Sequence, residues 1–396
     1  MDGRHARPGD PGSPTLRARL RALVFGCCAL IIALSAVVIA LRPANSTAES
    51  AGPGAAVPPD SQAPGPGIAS VSAPASPSVA APRPKLLFGI GTEADTARTT
   101  PLARQTPVRM LTSRYTGPGD LARLAGWRTT VVPQSYAAGY ALHLIVYAGE
   151  ATNTAPAHTA PTNAASSNTA SANTVTTKYG TACGRLYPLS IGILSDMQQL
   201  AKIFAGAAHG PPLYVTLFAD FQTYPCVAGA WSPDPATTNY YRALKDQFAT
   251  AEAIFHASAP NARVSLGWDA RQARTDDPAD GAGRSLFAHF ADVMEASDFE
   301  SLEATQDDGN AADIAATVRI LGAYGPVMVA RYEPDDGSQT TYDADMAALF
   351  GPGGSVPRLI GEGLFAFSFA DDAQMNASAA TYQLAENAVT RYAGSR

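Results

Sequence analysis

The chain has 396 residues, of which 46% are hydrophobic and 16% are charged. Its formal net charge is −6, and because the first 84 residues hold seven Arg against four acidic residues, residues 85–396 carry −9. So acidic a domain, with no basic stripe, is a poor nucleic-acid binder because it cannot replace the counterions around phosphates. It is also long enough to bury a sizeable core.

An apolar segment at residues 22–41 follows a basic tail, residues 1–21. Its twenty residues carry no charge, and a helix of about 30 Å matches the hydrocarbon core of a bilayer. The arginines that precede it predict a cytoplasmic N-terminus and an extracellular C-terminal domain. We therefore expect a single-pass signal anchor in the cell membrane. A cleaved signal peptide, which would release a secreted protein, is the alternative.

Two segments have the composition of disordered chain. Residues 42–84 are rich in Pro, Ala and Ser without apolar periodicity, and are predicted to form a linker. Residues 150–177 repeat Asn, Thr and Ala. They are predicted to be a low-complexity insertion in the extracellular domain, residues 85–396.

Cys183 and Cys226 are the two cysteines of the extracellular domain. The compartment is oxidising, so we expect a disulfide between them. A zinc site needs three or four ligands, and neither cysteine has a Cys or His neighbour at ligand spacing. The sequence therefore predicts no metal and no cofactor.

Eight β-rich segments alternate with amphipathic segments in this domain. The predicted strands are 86–90, 108–111, 141–147, 213–218, 263–268, 299–304, 327–332 and 364–369, and the predicted helices are 119–126, 190–206, 238–257, 284–296, 310–323, 342–350 and 376–393. Such alternation indicates a parallel sheet covered on both faces. Eight units favour the α/β fold class and a (β/α)8 TIM barrel. A doubly wound open sheet is the alternative, although the first strand lacks a complete dinucleotide-binding glycine turn.

Catalytic residues in such barrels lie where the strands end, on the loops that lead into helices. The residues at and just beyond the predicted strand ends are mainly acidic and aromatic, and they include Glu93, Arg114, Tyr115, Asp220, Gln222, Tyr224, Trp268, Asp269 and Glu333. Aromatic rings contact the C–H faces of sugars, and carboxylates and amides bind their hydroxyls. Glycoside hydrolysis itself needs two carboxyl groups beside one bond. The pattern therefore indicates a carbohydrate site.

Three segments resemble the clan A glycoside hydrolases, and most nearly the family 26 endo-β-mannanases. Residues 217–222 read LFADFQ and are followed by Trp231, and residues 326–333 read PVMVARYE. They are similar to the family's His-Glu-x-Asn step at the fourth strand and its Glu at the seventh. The run from Tyr240 to Asp269 is similar as well. The resemblance spans about residues 86–370, with loose motifs.

The resemblance implies that Glu333 is the nucleophile and Asp220 the general acid. It departs from the family at Ala219, where the family has His, at Asp220, where it has Glu, and at Gln222, where it has Asn. An Asp is one methylene shorter than Glu, and a proton donor displaced by about 1 Å can cost roughly 100-fold in rate. The departure points either to a changed mechanism or to a lost one.

The remaining candidates are assigned to substrate binding. Trp268 and Asp269 are interpreted as a sugar platform and a hydroxyl ligand, Tyr224, Tyr115 and Trp231 as subsite aromatics, Gln222 as a polar contact, and Glu93 and Arg114 as a pair that orients each other or the substrate. Glu300 and Glu303 stand at alternating positions of one strand, so at most one of them points into the barrel.

Three functions remain open. The leading one is a cell-surface glycoside hydrolase that acts on a β-linked polysaccharide through Glu333 and Asp220. A degenerate barrel that binds glycan without cleaving it is the second, and a non-enzymatic, membrane-anchored ectodomain is the third. A fold alone does not choose among them. The sugar, the linkage and the oligomeric state are left undetermined.

Overall fold

A computed structural model of the chain describes residues 85–149, 174–276, 283–334, 338–370 and 373–394. All of them lie within the compact unit Val79–Arg396. The predicted tail (1–21), anchor (22–41) and linker (42–84) are outside the described residues, as is most of the predicted insertion. Within the described ranges, no helix has both the length and the apolarity needed to cross a membrane.

Eight parallel strands close into a barrel, which confirms the predicted (β/α)8 fold. The described strands are β1 (Leu87–Ile90), β2 (Met110–Tyr115), β3 (Ala141–Tyr147), β4 (Thr174–Thr177), β5 (Gly180–Cys183), β6 (Leu213–Ala219), β7 (Ala262–Asp269), β8 (Glu300–Ala304), β9 (Val327–Tyr332) and β10 (Leu364–Phe369). The barrel order is β1, β2, β3, β6, β7, β8, β9 and β10, and β10 pairs with β1. Most of the barrel strands could be predicted because they are apolar, β-branched or aromatic runs that are buried on both faces. β8 reads ESLEA and is an exception in composition, although it is also buried.

Helices cover the outside of the barrel. They are α1 (Ala94–Ala97), α2 (Pro101–Gln105), α3 (Asp120–Ala125), α4 (Val131–Ala137), α5 (Ile191–Phe204), α6 (Pro235–Ser258), α7 (Gln272–Asp276), α8 (Ala291–Ala296), α9 (Asn310–Leu321), α10 (Gln339–Phe350), α11 (Val356–Gly361), α12 (Ala373–Asn376) and α13 (Ala379–Tyr392). Each of the seven predicted helices has a counterpart. Those that were not predicted have four to seven residues, which is too short to show a helical period.

A two-stranded antiparallel hairpin, β4 and β5, lies outside the barrel. The prediction of disorder for all of residues 150–177 is therefore wrong at Thr174–Thr177. These residues are β-branched, and they pair with Gly180–Cys183. A disulfide joins Cys183 at the end of β5 to Cys226, with 5.4 Å between the Cα atoms. The bond ties the hairpin to the loop that follows β6.

The barrel interior is layered from apolar to charged. The layer at the N-terminal end, the apolar layer, contains Met110, Ala141, Phe299, Met328 and Ala366, with Tyr214 and Phe365 packed against it. Above it, His143 lies between two threonines: its Nδ1 is 3.3 Å from Thr112 Oγ1, and its Nε2 is 3.0 Å from Thr216 Oγ1. Burial lowers the pKa of His143 to about 3, so the imidazole is neutral. Charged side chains begin only above this histidine, at the C-terminal end of the strands, which we call the mouth.

Candidate functional site

Three side chains from different strands meet across the centre of the mouth. The Tyr147 hydroxyl, at the end of β3, donates to both Glu303 carboxyl oxygens, at 2.8 and 2.9 Å. Arg331 Nη1 donates to the same Tyr147 oxygen at 3.3 Å. Because Tyr147 stands across the barrel from β8 and β9, this cluster spans the mouth. We refer to Tyr147, Glu303 and Arg331 as the central cluster.

A register shift turns Arg331 toward the central cluster. Leu302 of β8 is opposite Val329 of β9, whereas Glu303 is opposite Arg331, so Ala330 is the extra residue of a bulge. A bulge inserts one residue and re-aims the side chain that follows it. Ala330 still packs inside the barrel, with Ile145 and Ala219. The bulge therefore lets two consecutive residues of β9 face inward.

Glu303 is nearly fully buried, with 3% of its surface exposed. Burial and the negative charge of Asp220 raise the pKa of Glu303 to about 8, and Arg331 and the Tyr147 hydrogen bond oppose this rise. Glu303 is thus mostly protonated at neutral pH. The sequence did not single it out, and its only signal was the alternation with Glu300. Glu300 instead lies outside the barrel lumen, where burial raises its pKa to about 9.

Glu333 follows the end of β9 and is partly exposed, with 28% of its side chain accessible. Arg331 Nε and Nη2 donate to Glu333 Oε2 at 3.1 and 2.5 Å. The backbone N–H of Glu333 donates to the carbonyl of Ala304 at 3.1 Å. The guanidinium therefore links Glu333 to the central cluster and gives its carboxylate a cationic partner.

Asp220 follows β6 in the left-handed backbone region, with φ 61°, two residues after Phe218 with φ 53°. Such angles are uncommon for residues other than Gly and mark local strain. Gly267 of β7 makes room beside this bend, since a Cβ there would lie 2.8 Å from Ala219 Cα. Burial, and then the charge of Asp269, raise the pKa of Asp220. Three arginines oppose the rise: Arg331, Arg185 and Arg271.

Asp269 ends β7 directly opposite Glu303 of β8. Arg271 Nε and Nη2 donate to Asp269 Oδ2, at 3.0 and 2.7 Å. The pair borders a cavity of about 340 Å³ that Gln222, Thr223 and Arg274 also line. Gln222 is 2% exposed, and its amide has no hydrogen-bond partner among the described residues. Asp269 and Gln222 thus lie together at one side of the mouth.

Trp268 does not lie in the mouth, and its prediction as a sugar platform is corrected. Its side chain is fully buried, and its ring packs against Phe221 and Phe287, with centroids 5.1 and 4.7 Å apart. Successive residues of a strand point to opposite faces. Since Asp269 turns toward the mouth, Trp268 turns toward the helices.

Tyr115 and Tyr224 are also buried, so their prediction as subsite aromatics is corrected too. Tyr115 is fully buried, and its hydroxyl donates to Asp196 Oδ2 at 2.6 Å. The Tyr224 hydroxyl donates to the carbonyl of Ala219 at 2.6 Å and accepts from the N–H of Ala148 at 3.0 Å. Tyr224 therefore links the backbone of Ala219, at the end of β6, to that of Ala148, just after β3.

Glu93 and Arg114 do not pair with each other, because Glu93 forms its ion pair with Arg123. Their alternative role, orienting the substrate, stays a prediction. Arg114 instead lies close to the central cluster. Burial raises the pKa of Glu303 and of Tyr147, and the positive charge of Arg114 opposes both rises. Trp231 is partly exposed and stacks on His289, with 3.5 Å between ring centroids and 12° between planes. Of the three predicted subsite aromatics, only Trp231 therefore retains a partly exposed ring.

No protein-family model and no curated protein matches the sequence. Among solved structures, the chain is similar to a GH5-4 broad specificity endoglucanase from an uncultured bacterium, with 13% identity, coverage of 79% of this chain and 95% of that one, and a TM-score of 0.46. It is also similar to the Bacillus subtilis mannanase BCman, with 9% identity, coverage of 77% and 86%, and a TM-score of 0.43. A third is GH26A from a Muricauda species, with 10% identity, coverage of 77% and 89%, and a TM-score of 0.43. The structural neighbours of this barrel thus include glycoside hydrolases of families 5 and 26.

Proposed function

We propose that the chain is a glycoside hydrolase that cleaves a β-linked polysaccharide, with Asp220 as the proton donor and Glu333 as the nucleophile or base. The observation that carries this proposal is the contrast between two carboxyl groups at one mouth. Burial and the negative charge of Asp269 raise the pKa of Asp220, which favours its protonated form. Glu333 instead has the Arg331 guanidinium as its partner. Glycoside hydrolysis requires one carboxyl group that donates a proton and a second that acts as a carboxylate, and the surroundings of Asp220 and Glu333 differ in that sense.

Neighbouring side chains support a sugar as the substrate. The Asp269 carboxylate and the Gln222 amide line one cavity and offer hydrogen-bond partners for hydroxyls. Trp231 is a partly exposed aromatic residue, and its neighbour Ala230 lines the same cavity. The names of the neighbouring structures are those of enzymes acting on glycans. Electrostatically, Arg114 adds a positive charge near Glu303. The proposal assigns four of these residues to substrate binding: Asp269, Gln222, Trp231 and Arg114.

We also propose that this activity is located outside the cell, on a membrane-anchored barrel. Residues 22–41 are long and apolar enough for a membrane anchor, and the arginines that precede them favour a cytoplasmic N-terminus. The linker 42–84 would then connect the anchor to an extracellular barrel. Secretion after cleavage remains the alternative location. In either case the disulfide between Cys183 and Cys226 is suited to an oxidising compartment.

One observation favours a second function, in which the barrel binds glycan without cleaving it. The central cluster fills the middle of the mouth, and Arg331 bridges Tyr147 to Glu333. The ion pair with Arg331 restricts the Glu333 carboxylate and so opposes its attack as a nucleophile. The side chain of Asp220 is also one methylene shorter than that of the Glu which the family has at this position. Binding needs only the rim of the mouth, whereas cleavage needs both carboxyl groups to reach one bond.

The test uses the full-length chain in a detergent without a sugar headgroup, incubated with mannans, glucans and xylans. Reducing-end release and binding are followed together. We expect Asp220→Asn and Glu333→Gln each to lower release by about 100-fold or more. Glu295→Gln, which removes an exposed carboxyl on α8, is the control and is expected to retain activity. Binding without release selects the second function, and release that survives both substitutions rejects the assigned pair.

A further inference from the structure

Three potential metal ligands meet at the N-terminal end of the barrel, opposite the mouth. Glu252 and His256 lie on α6, and Asp298 lies two residues before β8. Their ligand atoms all lie within 4.8 Å of one another, and no other such group of three occurs in the part of the chain that the structure describes. We refer to Glu252, His256 and Asp298 as the basal triad.

Local structure places the basal triad. Glu252 and His256 are four residues apart on α6, so they share one face of the helix. Asp298 is held from the barrel side, because its Oδ2 accepts a hydrogen bond from the N–H of Val264 at 2.8 Å. The same oxygen lies 2.8 Å from His256 Nε2. Two ligands therefore come from a long helix, and the third is fixed by a strand.

We propose that the basal triad binds Zn²⁺ through Glu252, His256 Nε2 and Asp298. Zn–N and Zn–O bonds are about 2.0–2.2 Å, so ligands of one ion lie about 3–4 Å apart. The ligand atoms of the triad, all within 4.8 Å of one another, are already close to that spacing. One imidazole and two carboxylates suit Zn²⁺ better than Ca²⁺ or Mg²⁺, which take oxygen ligands. Zn²⁺ binds an Nε2 that carries no proton, so a neutral ring binds as its Nδ1–H tautomer and a doubly protonated ring releases its Nε2 proton to water.

The surroundings leave a position open for a further ligand. His256 and Asp298 line a cavity of about 380 Å³, which has room for a water molecule on the ion. Arg263 Nη1 lies 3.6 Å from Asp298 Oδ1 and places a competing positive charge beside the triad. Even with this arginine, two carboxyl groups face a single imidazole. The site is accessible from solvent, since His256 is exposed and the other two ligands are half-buried.

A bound ion at this place would clip α6 to the segment that enters β8. Glu252 and His256 move with the helix, whereas Asp298 moves with the barrel. Metal that binds the folded but not the unfolded chain adds stability that grows with the logarithm of the ratio of free metal concentration to Kd. The proposed role is therefore to fix a 24-residue helix against the barrel wall. It makes no use of Asp220 or Glu333, so it holds or fails independently of the proposed hydrolase activity.

The test is calorimetric titration of the metal-free, full-length chain with Zn²⁺, together with its thermal unfolding. One Zn²⁺ per chain is expected, with the Tm raised by roughly 5 °C at a 100-fold excess over Kd. His256→Ala and Glu252→Gln are each expected to weaken binding by at least about tenfold to 100-fold. Arg263→Gln, which removes the competing charge, is expected to tighten binding several-fold.

His209→Ala is the matched control, because it removes an exposed imidazole outside the triad and is expected to leave Kd unchanged. Equal weakening by His209→Ala and His256→Ala would mean adventitious binding to surface histidines and overturns the proposal. Absence of one-to-one Zn²⁺ binding in the parent chain overturns it as well. If the two ligand variants fail to fold, the Arg263→Gln result decides. Tighter binding then supports the site, and unchanged or weaker binding rejects it.

Discussion

The two ends of the barrel interior are built from opposite kinds of side chain. At the N-terminal end, Phe299 packs edge-on against Tyr214 and Phe365, with ring centroids 5.4 and 6.0 Å apart. At the mouth, the same lumen holds the charged Arg331 and the buried Glu303. Apolar packing stabilises the fold, whereas buried charges cost desolvation energy that their partners only partly return. The charged groups of the mouth are therefore placed at the expense of stability, which is typical of a functional site.

The neutral His143 separates these two ends. It is hydrogen-bonded by hydroxyl groups of Thr112 and Thr216, and it is fully buried. Thr112 in turn bonds Ser368 Oγ at 2.7 Å. The polarity of the lumen therefore increases along the barrel axis, from the apolar layer through His143 to the charged mouth. Substitutions at these levels are expected to change stability by different amounts.

The largest effect is expected from Arg331→Met, which removes the cation of the mouth. Glu333 and the Tyr147 hydroxyl each lose a hydrogen-bond donor, and the loss of one partner from a largely buried ion pair costs about 3 kcal/mol. Urea unfolding at pH 7, followed by circular dichroism, measures the difference.

Arg271→Met provides the matched control for that substitution. Arg271 pairs with Asp269 at the rim, and half of the arginine side chain is exposed. Solvent screens such a pair, so we expect a loss within about 1 kcal/mol. Equal losses from the two variants would contradict the distinction between the centre and the rim of the mouth.

A smaller effect, with a defined pH dependence, is expected from Glu303→Gln. The pKa of Glu303 rises from 4.5 to about 8 on folding, so the folded chain holds a proton that the unfolded chain has released. The free energy of unfolding therefore falls as the pH rises from about 4.5 to 8, and levels off above. Glu303→Gln removes this fall, a change of about 2 kcal/mol between pH 6 and 8.

The measurement is urea unfolding of parent and variant at several pH values in that range. Glu300, with its pKa of about 9, has the same direction of effect but is present in both proteins, so the difference isolates Glu303. Parallel curves for the two proteins would show that Glu303 titrates as an ordinary carboxyl.

The smallest effect is expected at His143 and has the opposite direction. Its pKa falls from 6.5 to about 3 on folding, so the unfolded chain takes up a proton that the folded chain refuses. The contribution of His143 to the free energy of unfolding is therefore fully present above pH 6.5, and it decreases as the pH falls toward 3. His143→Gln keeps groups that can hydrogen-bond the threonines and removes about 1 kcal/mol of this decrease between pH 6.5 and 5.5. His209→Gln, at an exposed position, should leave the pH dependence unchanged.

The barrel was predictable because most of its strands are short apolar runs that end in polar loops. The bounds of β3, β9 and β10 match their predictions. The hairpin of β4 and β5 was missed because Thr174–Thr177 has the composition of the low-complexity segment before it. Pairing with residues further along the chain, rather than local composition, makes it a strand.

The candidate site was predictable only as a set of strand ends. Composition placed Asp220, Asp269 and Glu333 at the mouth, but strand alternation decided which neighbours share it. Trp268 and Asp269 are adjacent in sequence and face opposite sides of β7. The bulge at Ala330 is the feature that sequence reasoning could not supply, because it depends on the register between β8 and β9. It brings Arg331 into the mouth, beside Glu303.

The two ends of the described barrel lie side by side. Leu86 bridges to Ala393, and the Leu86 N–H donates to the Tyr392 carbonyl at 2.7 Å. This junction is beside the N-terminal end of β1, on the face opposite the mouth. A short peptide between residues 85 and 394 would therefore join the ends, and new termini opened in another loop would give a circular permutant. For the same reason, the whole barrel can be inserted into a surface loop of a host protein with its mouth directed outward.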